Sequence, residues 1–230
     1  MFWIDYWYIV LVLPAMILAF WAQHRVQSTF NKYSRMPTRA RTTGAEAARM
    51  VLRENGVGNV DIRETQGNLT DHFDPRNNTI YLSTAVYAGT SAAAVGVAAH
   101  EAGHAVQYAQ AYAPMRLRAA IIPATQLGSN LALPLVLLGL FLAIPPLAYA
   151  GVIAFAASTV FQLVTLPVEF NASRRAMAAI NSSGYFGTEE ENGARSVLTA
   201  AALTYVAALA VSLANLLRLF FIVSGRQNRR

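Results

Sequence analysis

Two histidines one helical turn apart are the residues of this chain with the clearest chemical potential. His100 and His104 lie in Ala98–Gln107, where alanine and valine surround a His-Glu-x-x-His pattern. Ser91 can cap the start of a helix, and no proline interrupts the segment, so we predict a helix over 91–112. Side chains four residues apart share one face of a helix, so both imidazoles can bind the same metal ion.

The chemistry that this pattern favours is hydrolysis assisted by zinc. Zinc prefers tetrahedral sites with nitrogen ligands, and a catalytic zinc keeps one position for water. Glu101 lies beside the face of the two histidines, where its carboxylate can take a proton from a water that the ion activates. The alternative is two histidines on a solvated face, but the Ala-Val-Gly-Val-Ala-Ala run before them indicates a buried segment. We therefore predict a Zn²⁺ site.

The composition is that of a membrane protein. Of the 230 residues, 55% are hydrophobic and only 13% are charged, and the mean hydropathy is +0.34. The formal net charge of +6 comes from scattered arginines with no interleaved aromatic platform, so nucleic acid is excluded as a partner. The absence of cysteine excludes disulfides, thiolate ligands and a cysteine nucleophile.

The first apolar run predicts a transmembrane helix over residues 2–22, with tryptophan and tyrosine as interfacial anchors. A cleaved signal peptide is the alternative, but no basic region precedes the run and no small-residue cleavage site follows it. Basic residues come directly after it, and the positive-inside rule then places this flank in the cytoplasm. They are Arg25, Lys32, Arg35, Arg39 and Arg41.

A small α+β unit follows, and we assign residues 23–126 to a catalytic region on the cytoplasmic side. An amphipathic helix is predicted over 44–54, where Asn-Gly stops it. The turn composition of 74–78 joins two strands as a hairpin. The predicted strands are Val60–Thr65, Leu69–Phe73 and Thr79–Leu82.

Residues 127–167 are predicted to form a transmembrane hairpin. No charged residue occurs from 119 to 168, a length that suits two crossings. Pro145-Pro146 can break the helix, which gives spans over 127–146 and 148–167. A hairpin buried inside a soluble protein is the alternative, which the composition disfavours.

The end of the chain is harder to orient. We predict a helix and a polar loop over 168–196, where the helix would carry a third metal ligand. An apolar helix over 197–223 follows, in which Arg218 predicts a span ending near Asn215 and an interfacial helix after it. Fourteen of the eighteen Lys and Arg residues lie in the two polar regions 23–118 and 168–196, which favours a cytoplasmic site. The C-terminal arginines conflict with this if the last helix crosses once more.

A third ligand must complete a zinc site, and it should be His, Glu or Asp. Downstream of His104 the only acids are Glu169 and the run 189–191, which has the composition of a solvated helix cap. Elimination favours Glu169, although a glutamate just after Pro167 is also what a helix N-terminus prefers. The competitors upstream are His72, Asp71 and Asp74, with His24 too close to the first span.

The motif HEAGHAVQ, the upstream Leu-Thr-Asp-His-Phe-Asp-Pro (69–75) and the late Pro-Val-Glu-Phe-Asn-Ala-Ser (167–173) resemble the YugP-like membrane zinc metallopeptidases. More distantly, the order of motif helix, membrane hairpin and Glu-Phe-x-Ala is similar to the HtpX-like and prenyl-protein endopeptidases. The resemblance implies that Glu169 is the third zinc ligand. Ser173 stands where the HtpX-like pattern has aspartate, and a serine would orient a ligand histidine more weakly.

Together these features predict an α-helical integral membrane protein with a small α+β zincin-like metalloprotease domain and about four transmembrane helices. We expect it in the inner (plasma) membrane as a multi-pass protein with a cytoplasmic active site. Its expected partners are the lipid bilayer and protein or peptide substrates, above all membrane proteins.

The predicted reaction is peptide hydrolysis with Glu101 as general base. His72 is the candidate donor to the oxyanion, with Tyr81, Tyr87 and Tyr108 as others, and a structural hydrogen bond in the hairpin is the alternative for His72. The strands around it could bind an extended substrate by strand addition. Two other functions stay open, namely a non-proteolytic zinc-binding scaffold and a zinc hydrolase of a non-peptide amide.

Overall fold

The structure, a computed structural model, describes residues 5–227, and helices account for most of them. The chain forms two units. The apolar unit comprises residues up to Ala22, then 117–166 and the chain from Thr204 onward, and the site unit comprises 23–116 and 167–203. The first three residues of the predicted span 2–22 lie outside the described residues, as do Arg229 and Arg230.

Seven α-helices are described in residues 5–227, and four of these are long and apolar enough to cross a membrane, as predicted. The four are α1 with the π-helical turn Tyr8–Val12 before it, α5, α6 and α7. In chain order the helices are α1 (Leu13–Tyr33), α2 (Gly44–Glu54), α3 (Thr84–Tyr87), α4 (Ala92–Ala109), α5 (Ala113–Phe141), α6 (Pro145–Ser183) and α7 (Thr188–Gln227).

The hairpin turns a few residues earlier than the sequence predicts. Helix α5 ends at Phe141, and Ala143 in the turn has a φ of 59°. Pro145 and Pro146 therefore form the first turn of α6 and not the break between helices, because the amide protons that proline lacks have no acceptor in a first turn. Helix α6 then continues through Pro167 to Ser183, so the helix predicted within 168–196 is the end of α6 and not a separate element.

A three-stranded mixed sheet lies in the site unit in the order β1 (Asp61–Thr65), β3 (Thr79–Ser83), β2 (His72–Asp74). Strand β3 runs parallel to β1 and forms the predicted hairpin with β2, which is therefore an edge strand. The prediction that the second strand begins at Leu69 is wrong, because Leu69 adopts a φ of 56°, which a strand residue cannot have.

Helix α4 is the centre of the core of the site unit. Ser91 caps it as predicted, since its hydroxyl accepts a hydrogen bond from the Ala94 amide at 3.2 Å. The alanine and valine positions of α4 are buried against α2 and the sheet, together with Val51, Ile80 and Leu82. Burial of this apolar surface fixes the motif helix inside the unit.

An ion pair joins the two ends of the apolar unit. The Asp5 carboxylate lies 2.7 Å from Arg218 Nη2 and 2.8 Å from its Nε. Helix α7 continues past Asn215 and Arg218 to Gln227, so the apolar run does not divide into two helices there. The pairing also brings the start of the first helix beside the end of the last one.

Candidate metal centre

Three side chains converge at one point of the site unit. His100 and His104 project from α4, and Glu169 comes from α6. Glu169 Oε2 lies 3.2 Å from His100 Nε2 and 3.4 Å from His104 Nε2, and one donor atom of each of the three residues lies within 4.8 Å of the others. The carboxylate is buried, with 2% of the residue exposed.

The chemistry of these donors fits a zinc ion. Two ligands bound at about 2.0–2.1 Å in a tetrahedral site lie about 3.4 Å apart, close to both His–Glu separations. Imidazole lone pairs and a carboxylate that face one another repel unless a proton or a metal ion lies between them. The site attracts positive charge accordingly: burial of His104 disfavours its charged form, but hydrogen bonding to Glu169 and the nearby carboxylates outweigh burial and raise its pKa.

The position of Glu169 argues against its alternative role as a helix-capping residue. That role requires a helix beginning near Pro167, but α6 begins at Pro145. Glu169 therefore sits far inside a helix, where the positive end of the helix dipole does not reach. Its burial beside two imidazoles needs another cause, which a shared cation would provide.

Glu101 is half-buried on α4, next in sequence to His100. Within residues 5–227 its carboxylate makes no hydrogen bond or ion pair, although its charge acts on His104. A carboxylate that is not held by other protein groups is available to accept a proton.

Each of the two histidines has a partner on its other ring nitrogen. Ser173 Oγ lies 3.1 Å from His100 Nδ1, the position where a hydrogen bond would orient the ring. Gln107 Oε1 lies 3.0 Å from His104 Nδ1. The role of Gln107 was missed in the sequence, although a glutamine three residues after His104 in an otherwise apolar run must find a buried partner.

Gly103 allows α4 and α6 to approach closely beside the donor cluster. A Cβ atom added at Gly103 would lie only 2.6 Å from the carbonyl oxygen of Ala172 on α6. Only glycine permits this distance. Close packing of the two helices therefore explains why position 103, within the His-Glu-x-x-His motif, is a glycine.

The structure places His72 on the edge strand β2 and not in the donor cluster. The residue is exposed, its Nδ1 lies 2.8 Å from the carbonyl oxygen of Thr70, and its ring stacks on Tyr81 with centroids 5.0 Å apart. This is the local hydrogen bond expected for a structural role, and it leaves Nε2 without a described partner in residues 5–227.

The other residues considered as the third metal ligand lie outside the donor cluster, and the two aspartates among them have partners of their own. Asp71 accepts hydrogen bonds from the amide (2.7 Å) and hydroxyl of Ser83, and Asp74 accepts one from the Arg76 amide in the hairpin turn. Burial raises the pKa of Asp71 even though the bonds from Ser83 oppose the shift. His24 is exposed on α1.

The run 189–191 forms the first turn of α7, so it caps a helix as predicted, but it is not solvated throughout. Glu190 is buried and accepts hydrogen bonds from the amides of Arg39 at 2.7 Å and Gly187 at 3.0 Å. Its carboxylate therefore joins the segment after α1 to the start of α7.

The three tyrosines considered as oxyanion donors have contacts of their own within the site unit, and Tyr108 follows His104 by one turn of α4. Tyr81 accepts a hydrogen bond from Asn77, Tyr87 packs against the core, and Tyr108 is half exposed beside Phe73.

A cavity of about 500 Å³ lies between α6 and α7, next to the residue that contacts His100 Nδ1. Ser173 is part of its wall, and Arg174 and Arg195 bring positive charge to it from α6 and α7. The rest of the lining mixes polar and apolar side chains: Asn181, Thr199, Phe170, Met177, Ala178, Leu198 and Ala202.

The fold and the donor cluster define a class, namely helical proteins with several membrane-length helices and a candidate metal centre between two helices. A sequence model of the family described as "Putative neutral zinc metallopeptidase" matches residues 8–224, so the chain belongs to this family. It is 47% identical over 220 residues to "Putative membrane protease YugP" of Bacillus subtilis (strain 168), an alignment that covers 95% of this chain and 98% of that protein. No solved structure matches the chain.

These comparisons confirm the resemblance to the YugP-like family. Zinc, which the histidine spacing predicts, is also the metal named for the family.

Proposed function

We propose that the chain is a membrane-embedded zinc endopeptidase in which His100, His104 and Glu169 hold the ion and Glu101 is the general base. The observation that carries the proposal is the convergence of the three donor atoms within 4.8 Å, next to a carboxylate that forms no hydrogen bond within residues 5–227. Membership of a zinc metallopeptidase family, and similarity to a protein named as a membrane protease, support it.

Glu101, the two histidines and Glu169 have different roles in the proposed hydrolysis of a peptide bond. Zinc held at this point would supply a Lewis acid that polarises the scissile carbonyl and makes water a better nucleophile. Glu101 takes a proton from the attacking water as the new C–O bond forms, and it delivers that proton to the amine as the C–N bond breaks. The buried Glu169 carboxylate and the two imidazoles keep their positions throughout, since packed helices hold them.

His72 remains our candidate for the donor that stabilises the oxyanion. Its Nδ1 lies within hydrogen-bond distance of the Thr70 carbonyl, which fixes the proton on that nitrogen. Nε2 can then donate only when the ring is charged, so we expect His72 to assist in its imidazolium form. Because β2 is an edge strand, its outer side is free to pair with an extended substrate.

The substrates that suit this arrangement are membrane proteins or their exposed tails. Most Lys and Arg residues lie in the site unit, which by the positive-inside rule favours a cytoplasmic site in the plasma membrane. The Asp5–Arg218 pair supports a last helix that crosses back to the side where the first one begins.

The test is Glu101→Gln in cells and in purified full-length protein. We expect zinc content to be unchanged while hydrolysis falls at least about 10³-fold, because the amide cannot accept the proton. Glu64→Gln is the matched control, the same exchange on the exposed strand β1, and it should leave activity unchanged. The membrane proteomes of cells that carry each variant are then compared.

The alternatives give different results in the same experiment. If Glu101→Gln retains zinc and changes no protein in length or abundance, the chain is not a protease. A change confined to lipid-linked amides would indicate a non-peptide hydrolase, and no change of any kind would indicate a zinc-binding scaffold.

A further inference from the structure

A chain of hydrogen bonds leads from α6 to the metal-binding face of α4 through the side chain of Gln107. This residue is completely buried, and all three of its polar contacts are short. Gln107 Oε1 lies 3.0 Å from His104 Nδ1, and Gln107 Nε2 lies 2.8 Å from the Val168 carbonyl oxygen and 3.0 Å from Asn171 Oδ1.

The direction of the Gln107 amide is fixed by its partners. A backbone carbonyl can only accept, so the group that faces Val168 must be the NH₂ of the amide. Rotation of the amide by half a turn would place Oε1 against the Val168 oxygen, and two acceptors in a buried site repel. The second hydrogen of the NH₂ group points to Asn171.

Asn171 is held in turn by a group that can only donate. Arg175 Nε lies 2.7 Å from Asn171 Oδ1, and a guanidinium has no acceptor, so the oxygen of Asn171 must face it. The same oxygen then accepts from Gln107, which agrees with the direction that Val168 requires. Arg175 Nη1 also donates to Gln110 Oε1 on α4 at 2.7 Å, and this contact keeps the guanidinium in place.

We propose that this chain, Arg175 to Asn171 to Gln107, sets the tautomer of His104 and makes Gln107 its positioning residue. Gln107 presents only an acceptor to Nδ1 and so favours the neutral imidazole with its proton there, whereas the Glu169 carboxylate competes for that proton at Nε2 until a metal ion takes the Nε2 lone pair. Nε2 then carries the lone pair, on the side where Glu169 Oε2 lies 3.4 Å away. The inference rests on the proposed metal site but not on peptide hydrolysis.

The two ligand histidines differ in this respect. His100 Nδ1 faces the hydroxyl of Ser173, which can donate or accept and so does not select a tautomer by itself. The fixed polarity around His104 therefore gives the site one ligand that is ready for the metal in advance. It also links α4 to α6, the helix that carries Glu169, at the level of the ligands.

The direct test is ¹⁵N NMR of the metal-free, full-length protein in detergent, labelled at histidine and measured at alkaline pH, where the rings are neutral. The protonated and unprotonated nitrogens of imidazole have well separated shifts, and His104→Gln identifies the resonances. In the Glu169→Ala variant no carboxylate competes for the proton at Nε2, so we expect the proton on Nδ1 of His104. A proton on Nε2 of His104 in this variant overturns the proposal.

Two substitutions test the chain of bonds itself. Gln107→Met fills the same space without an acceptor, so we expect a mixture of tautomers and a zinc Kd raised about 10–100-fold. Asn171→Asp keeps the acceptor between Arg175 and Gln107, so its zinc Kd should stay within about twofold of the wild type. Gln66→Met, in a loop outside the chain of bonds, is the matched control for the exchange.

The proposal is overturned if Gln107→Met keeps the His104 tautomer and the zinc affinity of the wild type. It is also overturned if a folded Asn171→Asp protein loses zinc affinity. These measurements do not depend on the proposed peptidase activity, because zinc binding and the His104 tautomer are both measured without substrate. If Glu101→Gln shows that there is no hydrolysis while these results hold, only the peptidase proposal is wrong.

Discussion

Gly103→Ala is the substitution that should most directly separate the two helices of the site. The added Cβ would lie 2.6 Å from the Ala172 oxygen and 3.2 Å from its Cα and carbonyl carbon. Ordinary contact begins near 3.4 Å, so α4 and α6 must move apart locally by about 0.8 Å. The atoms in contact are backbone, which cannot turn aside as a flexible side chain does.

A movement of this size exceeds what a zinc site tolerates. Zinc–ligand distances vary by only about 0.2 Å, and Glu169 lies three residues before Ala172 on the helix that must move. We expect the zinc Kd to rise about 10–100-fold, as when supporting residues of a zinc site are lost. The effect on stability is smaller, since overpacking costs about 1–3 kcal/mol while alanine gains about 1 kcal/mol over glycine in a helix.

Gly96→Ala on the same helix is the matched control. Its Cβ would meet Ala194 at 3.2–3.3 Å, which small adjustments can relieve, and the gain in helix propensity is the same. Zinc affinity of both purified variants is measured by competition with a chelator, and Tm is measured with and without zinc. If Gly103→Ala binds zinc within twofold of Gly96→Ala, the argument that close packing sets the ligand geometry is refuted.

Three further predictions concern single residues. Glu169→Gln should raise the zinc Kd more than about 100-fold, because a neutral amide replaces an anionic ligand, and zinc should no longer raise Tm. Ser173→Ala should raise the zinc Kd about tenfold by removing the contact with His100, whereas Ser173→Asp, a stronger acceptor, should not, and equal affinities would contradict this role. Thr43→Ala removes the cap of α2 and should cost about 1 kcal/mol in thermal melts at neutral pH. Hydrogen bonds from Thr43 lower the pKa of Glu46 below its usual value of 4.5. The stability that these bonds contribute is therefore fully present above pH 4.5, and it is lost as the pH falls through the lowered pKa of Glu46.

Local patterns in the chain determined the elements and half of the candidate site. The spacing of His100 and His104 places them on one helical face wherever the helix lies, and the apolar runs predict four membrane-length helices by length alone. Ser91 and the hairpin turn are equally local signals, and both occur as predicted. These features could be read from the sequence because they depend on neighbours a few residues away.

Contacts between distant segments were decided by tertiary packing. Glu169 lies 65 residues or more from both histidines in sequence, and only the crossing of α4 and α6 at Gly103 distinguishes it from the other acids. The same crossing supplies the partners of Gln107, and the pairing of Asp5 with Arg218 likewise joins residues from opposite ends of the sequence. Periodicity tells which face of a helix is buried, but which groups meet there depends on the geometry of the helix that packs against it.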